Sequence, residues 1–406
     1  MTVPLFELDE VTSSDGERHQ GAVREVTFVH TADWQLGMTR RYLDAESAHA
    51  YGAARLDAVE RIGALALEVG AEFVVVSGDV FEDHRVSSRI IRRTLDILAG
   101  FAVPVYLLPG NHDPFDAAGI YRSRTFVQAC PDNVVVLSTP GVHRVRDGVE
   151  VVAAPWSHKH PGTDLVDAQV SRLRPSEDIR VVVGHGGTDE TSPGDDAALI
   201  AVARLEDSID AGLVDYVALG DRHSVTSVGR SERVWYAGAH EVTNFDTIEE
   251  QPGHALVVTL RRGPAGREVT VTPHRVGQWS FRSITRDIAG SADIEALRVE
   301  LAAIEDKPRV VVRLGLVGTV TVAENAMLDD LLEEFADRFA AVTRSERDDD
   351  LVVVAADGDA DDLAVSGYAQ AAAQELLGLS RSDDADAAGA ARDALGLLRR
   401  LAGTTR

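Results

Sequence analysis

Five short apolar runs in this chain each end abruptly in a polar cluster built from glycine, aspartate, asparagine or histidine. The clearest is Leu108-Pro109-Gly110-Asn111-His112-Asp113, which follows the apolar run Val103 to Leu108. A buried strand fixes the turn that follows it, and the turn aims the side chains it carries, so such a run reads as part of a site. The others are His30-Thr31-Ala32-Asp33-Trp34-Gln35-Leu36-Gly37, Ser77-Gly78-Asp79-Val80-Phe81-Glu82, Gly184-His185-Gly186 and Gly220-Asp221-Arg222-His223. In open α/β sheets ligands sit beyond the carboxyl ends of the strands, so the five clusters are expected to meet in one crevice.

The segments between them alternate in type. Strands are predicted at Val26–His30, Phe73–Val76, Val103–Leu108, Ile179–Val183 and Tyr216–Leu219, and helices at 51–69 and 87–98. Short strands at Val134–Leu137, Val142–Val145 and Val149–Ala153 follow, the last two joined by the hairpin signal Asp147-Gly148. Val234–Ala237, Ala255–Leu260 and Glu268–Thr272 read as antiparallel strands. The composition changes near Gln278, and residues 280–355 read as a small α+β unit with helices at 293–304 and 325–339 and strands at 310–316 and 351–355. The resulting division is a loose tail over 1–23, a catalytic unit over 24–278, an α+β unit over 279–356 and an acidic helical tail over 357–406, with helices near 361–377 and 385–402.

Charge and cysteine content narrow the function. A formal net charge of −26 argues against a passive basic nucleic-acid binder. It leaves open a metal-dependent enzyme acting on phosphodiesters, because bound cations supply local positive charge. No apolar run reaches the ~18 residues a membrane span needs, and the N-terminal residues lack the pattern of a signal peptide. The single cysteine, Cys130, fits a reducing cytoplasm and reads as a small buried hydrophobe.

The clusters combine carboxylates, an amide oxygen and imidazoles, which suit divalent first-row metals. One carboxylate can bridge two ions ~3.5–4 Å apart that hold an attacking hydroxide and a leaving oxygen in line. Taken with His30-Thr31-Ala32-Asp33-Trp34, Gly78-Asp79-Val80-Phe81 and Gly110-Asn111-His112-Asp113, the pattern resembles the calcineurin-like metallophosphoesterases. Within them it is most similar to the nuclease subunit of the bacterial SbcCD double-strand-break repair complex. The resemblance covers residues 24 to about 275 well and the α+β unit weakly, through Gly318-Thr319-Val320-Thr321 and the helix after it.

That resemblance implies a four-layer α/β/β/α sandwich with a small α+β capping domain and a helical C-terminal tail. It implies a DNA exonuclease, and endonuclease, that cuts phosphodiester bonds in repair. Asp79 would bridge two metal ions; Asp33, Gln35 and His223 would complete one shell and Asn111, His185 and Asp221 the other. His112 would protonate the leaving oxygen or stabilise the phosphorane-like charge, with Asp113 holding its ring. The partners implied are DNA, a coiled-coil ATPase docked on the C-terminal helices, and a second copy of the chain. The family usually has histidine where this chain has Gln35 and Asp221. The shell then holds five oxygen-donor and two nitrogen-donor residues, which favours Mn²⁺ or Mg²⁺ over Zn²⁺. Two other readings stand beside this one: a phosphodiesterase or phosphatase for a small molecule, and a non-catalytic scaffold that binds DNA ends or an ATPase.

Arg40 and Arg41 follow the first cluster closely and are candidates to meet a phosphate backbone, and His84 is a candidate at the cleft mouth. His30 reads as strand-end packing. Trp156-Ser157-His158-Lys159-His160 carries residue types suited to substrate contact but reads as an ordinary loop with an anchored tryptophan. Lys159 and Lys307 are the only lysines; the other basic residues are arginine.

Overall fold

A computed structural model describes residues 23–354 apart from 193, 195, 246–250 and 265, then residues 368–380 and scattered positions up to 398. The N-terminal tail expected over 1–23 lies outside these residues except for Val23, as does most of the helix expected near 385–402.

The chain opens with β1 (Arg24–Thr31), α1 (Ala45–Glu68), β2 (Phe73–Val76), α2 (Ser88–Ala99), β3 (Val105–Leu107), α3 (Arg124–Ala129) and β4 (Val134–Val136). It continues through β5 (Gly141–Arg146), β6 (Val149–Ala153), α4 (Asp167–Val170), β7 (Ile179–His185), α5 (Val202–Asp210), β8 (Tyr216–Gly220), β9 (Thr226–Val228) and β10 (Val234–Tyr236). The hairpin β11 (His254–Gly263) and β12 (Gly266–Arg275) completes this part. One sheet has the order β12-β11-β1-β2-β3-β4 and the other β5-β6-β7-β8-β10-β9.

The strand sequences explain the layering. β2 reads Phe-Val-Val-Val and is buried on both faces. Phe73 and Val75 point into the space between the sheets, with Phe28 of β1 and Tyr216 of β8; Val74 and Val76 point to the opposite face, against Ile62 of α1 and Leu95 of α2. The second sheet repeats this, with Val181 and Tyr216 facing inward and Val182 and Val217 covered by α4 and α5. Near-continuous apolar strands buried on both faces are what a helix-covered parallel sheet requires. The fold is therefore α/β/β/α. Phe28 and Phe73 stack at 4.8 Å with Tyr216 edge-on at 5.7 Å, closing the interface between the sheets.

The second unit comprises β13 (Ser280–Ile288), α6 (Ser291–Ala303), β14 (Val310–Thr321), α7 (Val322–Ala336), β15 (Ala341–Arg344) and β16 (Asp350–Val354). All its strand pairings are parallel, with β14 taking β13 on one side and β15 and β16 on the other. β13 and β15 are absent from the sequence expectation, because the first is largely exposed and polar and the second spans four residues. Thr321 and Glu324 form a capping box that starts α7 three residues before the expected Asn325. This unit packs on the first through Trp279, Val311 and Ala340 against Leu43, Tyr51 and Val242. The final helix, α8 (Tyr368–Leu379), places Ala373, Leu376 and Leu377 against Leu395 and Leu398. Among the described residues no helix is long and apolar enough to cross a membrane.

Candidate metal centre

β1, β2 and β3 run parallel, as do β7 and β8 in the facing sheet, so their carboxyl ends share one edge of the sandwich. The five clusters begin there. The two sheets approach very closely at this edge: a Cβ on Gly220 would fall 2.0 Å from the Ser77 carbonyl oxygen. A Cβ on Gly110 would fall 2.2 Å from Oδ1 of Asp79, so the third cluster reaches the second only through glycine.

Six non-glycine residues among those described have left-handed backbone, and four of them are Asp33 (φ 53°), Gln35 (40°), Asp79 (54°) and Asp221 (100°). Each such conformation costs of order 1 kcal/mol or more and persists where the surroundings impose it, commonly at functional sites. Here backbone hydrogen bonds impose it: Asp33 N donates to Gly78 O at 3.1 Å, Gln35 N to Asp79 O at 2.8 Å and Leu36 N to Val80 O at 3.0 Å. Asp221 N donates to both carboxylate oxygens of Asp33 at 3.1 Å, joining positions 188 residues apart.

The side chains converge. Asp33, Asp79 and His185 are buried, and each offers a ligand atom within 4.8 Å of the others. Nε2 of His185 lies 2.7 Å from Oδ1 of Asn111, 3.4 Å from Oδ1 of Asp79 and 3.8 Å from Oδ1 of Asp221. Nδ1 of His185 sits 2.8 Å from Ser77 O, so one proton belongs on Nδ1 and Nε2 is the ring atom turned to the carboxylates. The Asn111 amide oxygen faces only acceptors; half a turn would place its nitrogen 3.2 Å from both Asp79 oxygens. Oε1 of Gln35 is buried with no hydrogen-bond donor. Lone pairs collected around one point make Asp33, Asp79 and His185 a candidate site for a divalent cation, and the Gln35 amide oxygen is a further buried acceptor without a donor. Oxygen donors dominate the site. His223 lies close enough to lower the Asp33 pKa, and its Nδ1 is held 2.8 Å from Oγ1 of Thr243.

Electrostatics point the same way. Burial pushes the Asp33 carboxyl up to about 7, against the pull of His223 and His185. Burial also raises Asp79, but the imidazoles of His185 and His112 outweigh it and hold this carboxyl below its usual range. Burial lowers His185, and the carboxylates of Asp79, Asp33 and Asp221 more than reverse it. A proton thus sits where a cation would relieve the same crowding of negative charge. The sign follows: Asp33 keeps its proton up to about pH 7, so cation binding below that pH must expel protons from Asp33 and His185. Release is expected to approach about two protons per chain at pH 6 and to decline as pH rises through 7. Calorimetric titration with Mn²⁺ in buffers of different ionisation enthalpy measures it, and release near zero at pH 6 contradicts the assignment.

His112 is partly exposed, its side chain 38% accessible. Its backbone N donates to Oδ1 of Asp79 at 3.0 Å, and its Nε2 lies 3.9 Å from Oδ2 of Asp79. The expectation that Asp113 holds this ring is corrected: Nδ1 of His112 lies 2.7 Å from Glu82 O. Asp113 instead accepts from Gly110 N at 2.9 Å, Phe81 N at 3.0 Å and the Tyr121 hydroxyl at 2.7 Å. Its carboxylate is consumed in shaping the turn, and burial raises it to about 7. Arg40 turns its Nε to the carbonyl of Thr243 at 2.8 Å, the residue whose hydroxyl holds His223, while Arg41 and His84 are exposed. His30 is buried between the sheets, 3.1 Å from the Tyr216 hydroxyl and 3.2 Å from Leu219 O, and burial lowers it to about 3. Trp34 is core, its Nε1 donating to Oγ1 of Thr31 at 2.9 Å.

Four supporting groups carried no sequence signal. Glu82 and Ser77 act through backbone carbonyls, which no residue type advertises. Thr243 stands twenty residues from His223 in a loop without periodicity. Arg55, on α1, is 1% exposed and donates to Trp34 O at 2.6 Å and the Tyr51 hydroxyl at 2.9 Å, so a helix interior fixes the first cluster.

Residues 26–225 match the calcineurin-like phosphoesterase family. Among solved structures, a dimetal phosphatase from Danio rerio is similar at 12% identity and a TM-score of 0.36, covering 60% of this chain and 98% of its own. A Thermus thermophilus protein is similar at 13% identity and a TM-score of 0.37, covering 62% of this chain and 100% of its own.

Proposed function

We propose, from the match of residues 26–225 to the calcineurin-like phosphoesterase family, that the protein hydrolyses the phosphodiester bonds of DNA with divalent cations, Mn²⁺ foremost. The observation that carries this reading is the convergence of lone pairs from Asp33, Asp79, Asn111 and His185 on one buried point. Gln35, Asp221 and His223 complete the donor set. Bound cations supply an activated water and neutralise charge at phosphorus.

The chain's own residues do the rest. Asp33 and Asp79, held in left-handed backbone, keep their carboxylates fixed before substrate arrives, so little reorganisation is needed. His112, with Nδ1 engaged by Glu82 O, presents Nε2 toward the Asp79 carboxylate and gives its proton to the departing sugar oxygen. The preference for DNA is supported by the motifs shared with the SbcCD nuclease subunit and by a second domain packed beside the loop that holds His223. The same reading proposes a coiled-coil ATPase and a second copy of the chain as partners, and residence in the cytoplasm.

Assays of linear duplex DNA, single-stranded DNA and a chromogenic phosphodiester with Mn²⁺, Mg²⁺ or Zn²⁺ test it. Cleavage of DNA fastest with Mn²⁺ is expected. Turnover of the small ester alone would assign a small-molecule substrate, highest turnover with Zn²⁺ would refute the metal preference, and a chain that takes up no metal would leave only the scaffold reading.

A further inference from the structure

The loop after β6 reads as ordinary in sequence, yet the structure ties it to the metal centre at three points. β6 pairs with β7, the strand that ends in His185, so the segment following β6 emerges beside that ligand. Trp156 Nε1 donates to His185 O at 2.7 Å, Trp156 N donates to Pro109 O at 3.1 Å, and Phe115 N donates to Trp156 O at 2.8 Å. The indole, perpendicular to the His185 ring at 6.1 Å, thus spans the third and fourth clusters. Beyond this strut Ser157, His158, Lys159 and His160 are all exposed, with the Ser157 hydroxyl 2.8 Å from Nδ1 of His158. Phe115, bonded to the strut, carries the exposed Arg122 guanidinium 4.5 Å above its ring. The nearby Asp116 carboxylate accepts from Ala118 N at 2.9 Å.

In a chain of net charge −26 with two lysines, one lysine, two histidines and a stacked arginine therefore stand on a strut fixed to a metal ligand. We propose that Lys159 and Arg122, flanked by His158 and His160, form a rim that grips the phosphates of a DNA strand next to the scissile bond. The inference rests on the DNA reading above and supplies the local positive footprint that the overall charge denies. Lysine serves as a point charge for a phosphate oxygen and the stacked arginine as a preoriented fork. Nucleotides flanking the cut are held here while the centre holds the reacting phosphate.

The test is binding of a fluorescein-labelled single-stranded phosphorothioate oligonucleotide, which resists hydrolysis, to the full-length Mn²⁺-loaded chain by anisotropy between about 50 and 200 mM NaCl. The double variant Arg122→Gln/Lys159→Gln is expected to bind about tenfold more weakly at about 100 mM salt, with the slope of log affinity against log salt reduced by about 1.4, two single-strand phosphate contacts. Metal content and melting temperature report whether the centre and fold are intact. Affinity and slope equal to the parent's overturn the rim, as does a parent chain that does not bind. A parent that binds through the rim yet cleaves no DNA overturns the nuclease reading and leaves the rim standing.

Discussion

Asp79→Asn is expected to abolish hydrolysis, with turnover of any phosphodiester falling by about 10⁴ or more, the equivalent of about 5.5 kcal/mol of transition-state stabilisation. Asp79 stands at the centre of the lone-pair cluster, within 3.4 Å of His185 and hydrogen-bonded to His112 N. Asparagine is the informative replacement. Position 79 has a φ of 54°, and asparagine tolerates left-handed backbone nearly as well as aspartate does, whereas alanine does not. The amide oxygen can still accept from His112 N, so the turn survives while the negative charge is lost. The metal-free variant is therefore expected to melt near the parent, and the rise in melting temperature that Mn²⁺ gives the parent is expected to vanish, because stabilisation by a ligand follows its affinity. Thermal melts with and without Mn²⁺, read beside turnover, separate a lost centre from a lost fold. Turnover within tenfold of the parent would remove Asp79 from the chemistry.

His112→Gln is expected to separate the two halves of the reaction. The ring makes no metal-shell contact of its own: Nδ1 is engaged by Glu82 O, and Nε2 stands 3.9 Å from Asp79. Metal content should stay at the parent's value. Loss of a general acid costs about 10²–10⁴ in rate when the leaving group needs a proton, as the sugar oxygen of DNA does. A p-nitrophenolate departs without one, so the chromogenic ester should lose far less. Equal losses on both substrates would show that His112 positions or stabilises rather than protonates. The side chain's partial exposure admits the leaving group, whereas Asp113, 1% exposed and bonded to three donors, is closed to it. The Asp113 carboxylate therefore belongs to the turn, and its replacement would act on stability before it acted on proton transfer.

The assignment of His112 and the correction of Asp113 show where local reading ends. Gly110-Asn111-His112-Asp113 announces a site in the company of four similar strand-end clusters, since any one of them alone could merely cap a helix or start a turn. Neighbouring position in sequence suggests that Asp113 holds the His112 ring. Side chains of adjacent residues leave the backbone in different directions, and here the turn sends the carboxylate inward to Tyr121 while a carbonyl from the second cluster takes the imidazole. The Trp156 segment illustrates the reverse. Its residue types are visible in sequence, but only the pairing of β6 with β7 puts them beside His185.

Sequence alone determined most strands and the two long helices of the first domain, because burial on both faces of a strand and on one face of a helix writes its period into apolar spacing; the shorter α3, α4, α5 and β9 were legible only in the structure. It also determined that glycine-bearing polar clusters close five of those strands, because a chain leaving a buried strand beside a ligand needs both a tight turn and polar side chains. Tertiary structure alone decided which atoms meet: that Asp221 N reaches Asp33, that Nδ1 of His185 is spent on Ser77 O, and that four of the donors stand in left-handed backbone. Those outcomes depend on how two sheets pack face to face across long separations in the chain. No local pattern encodes such a distance; only the sum of the packing does.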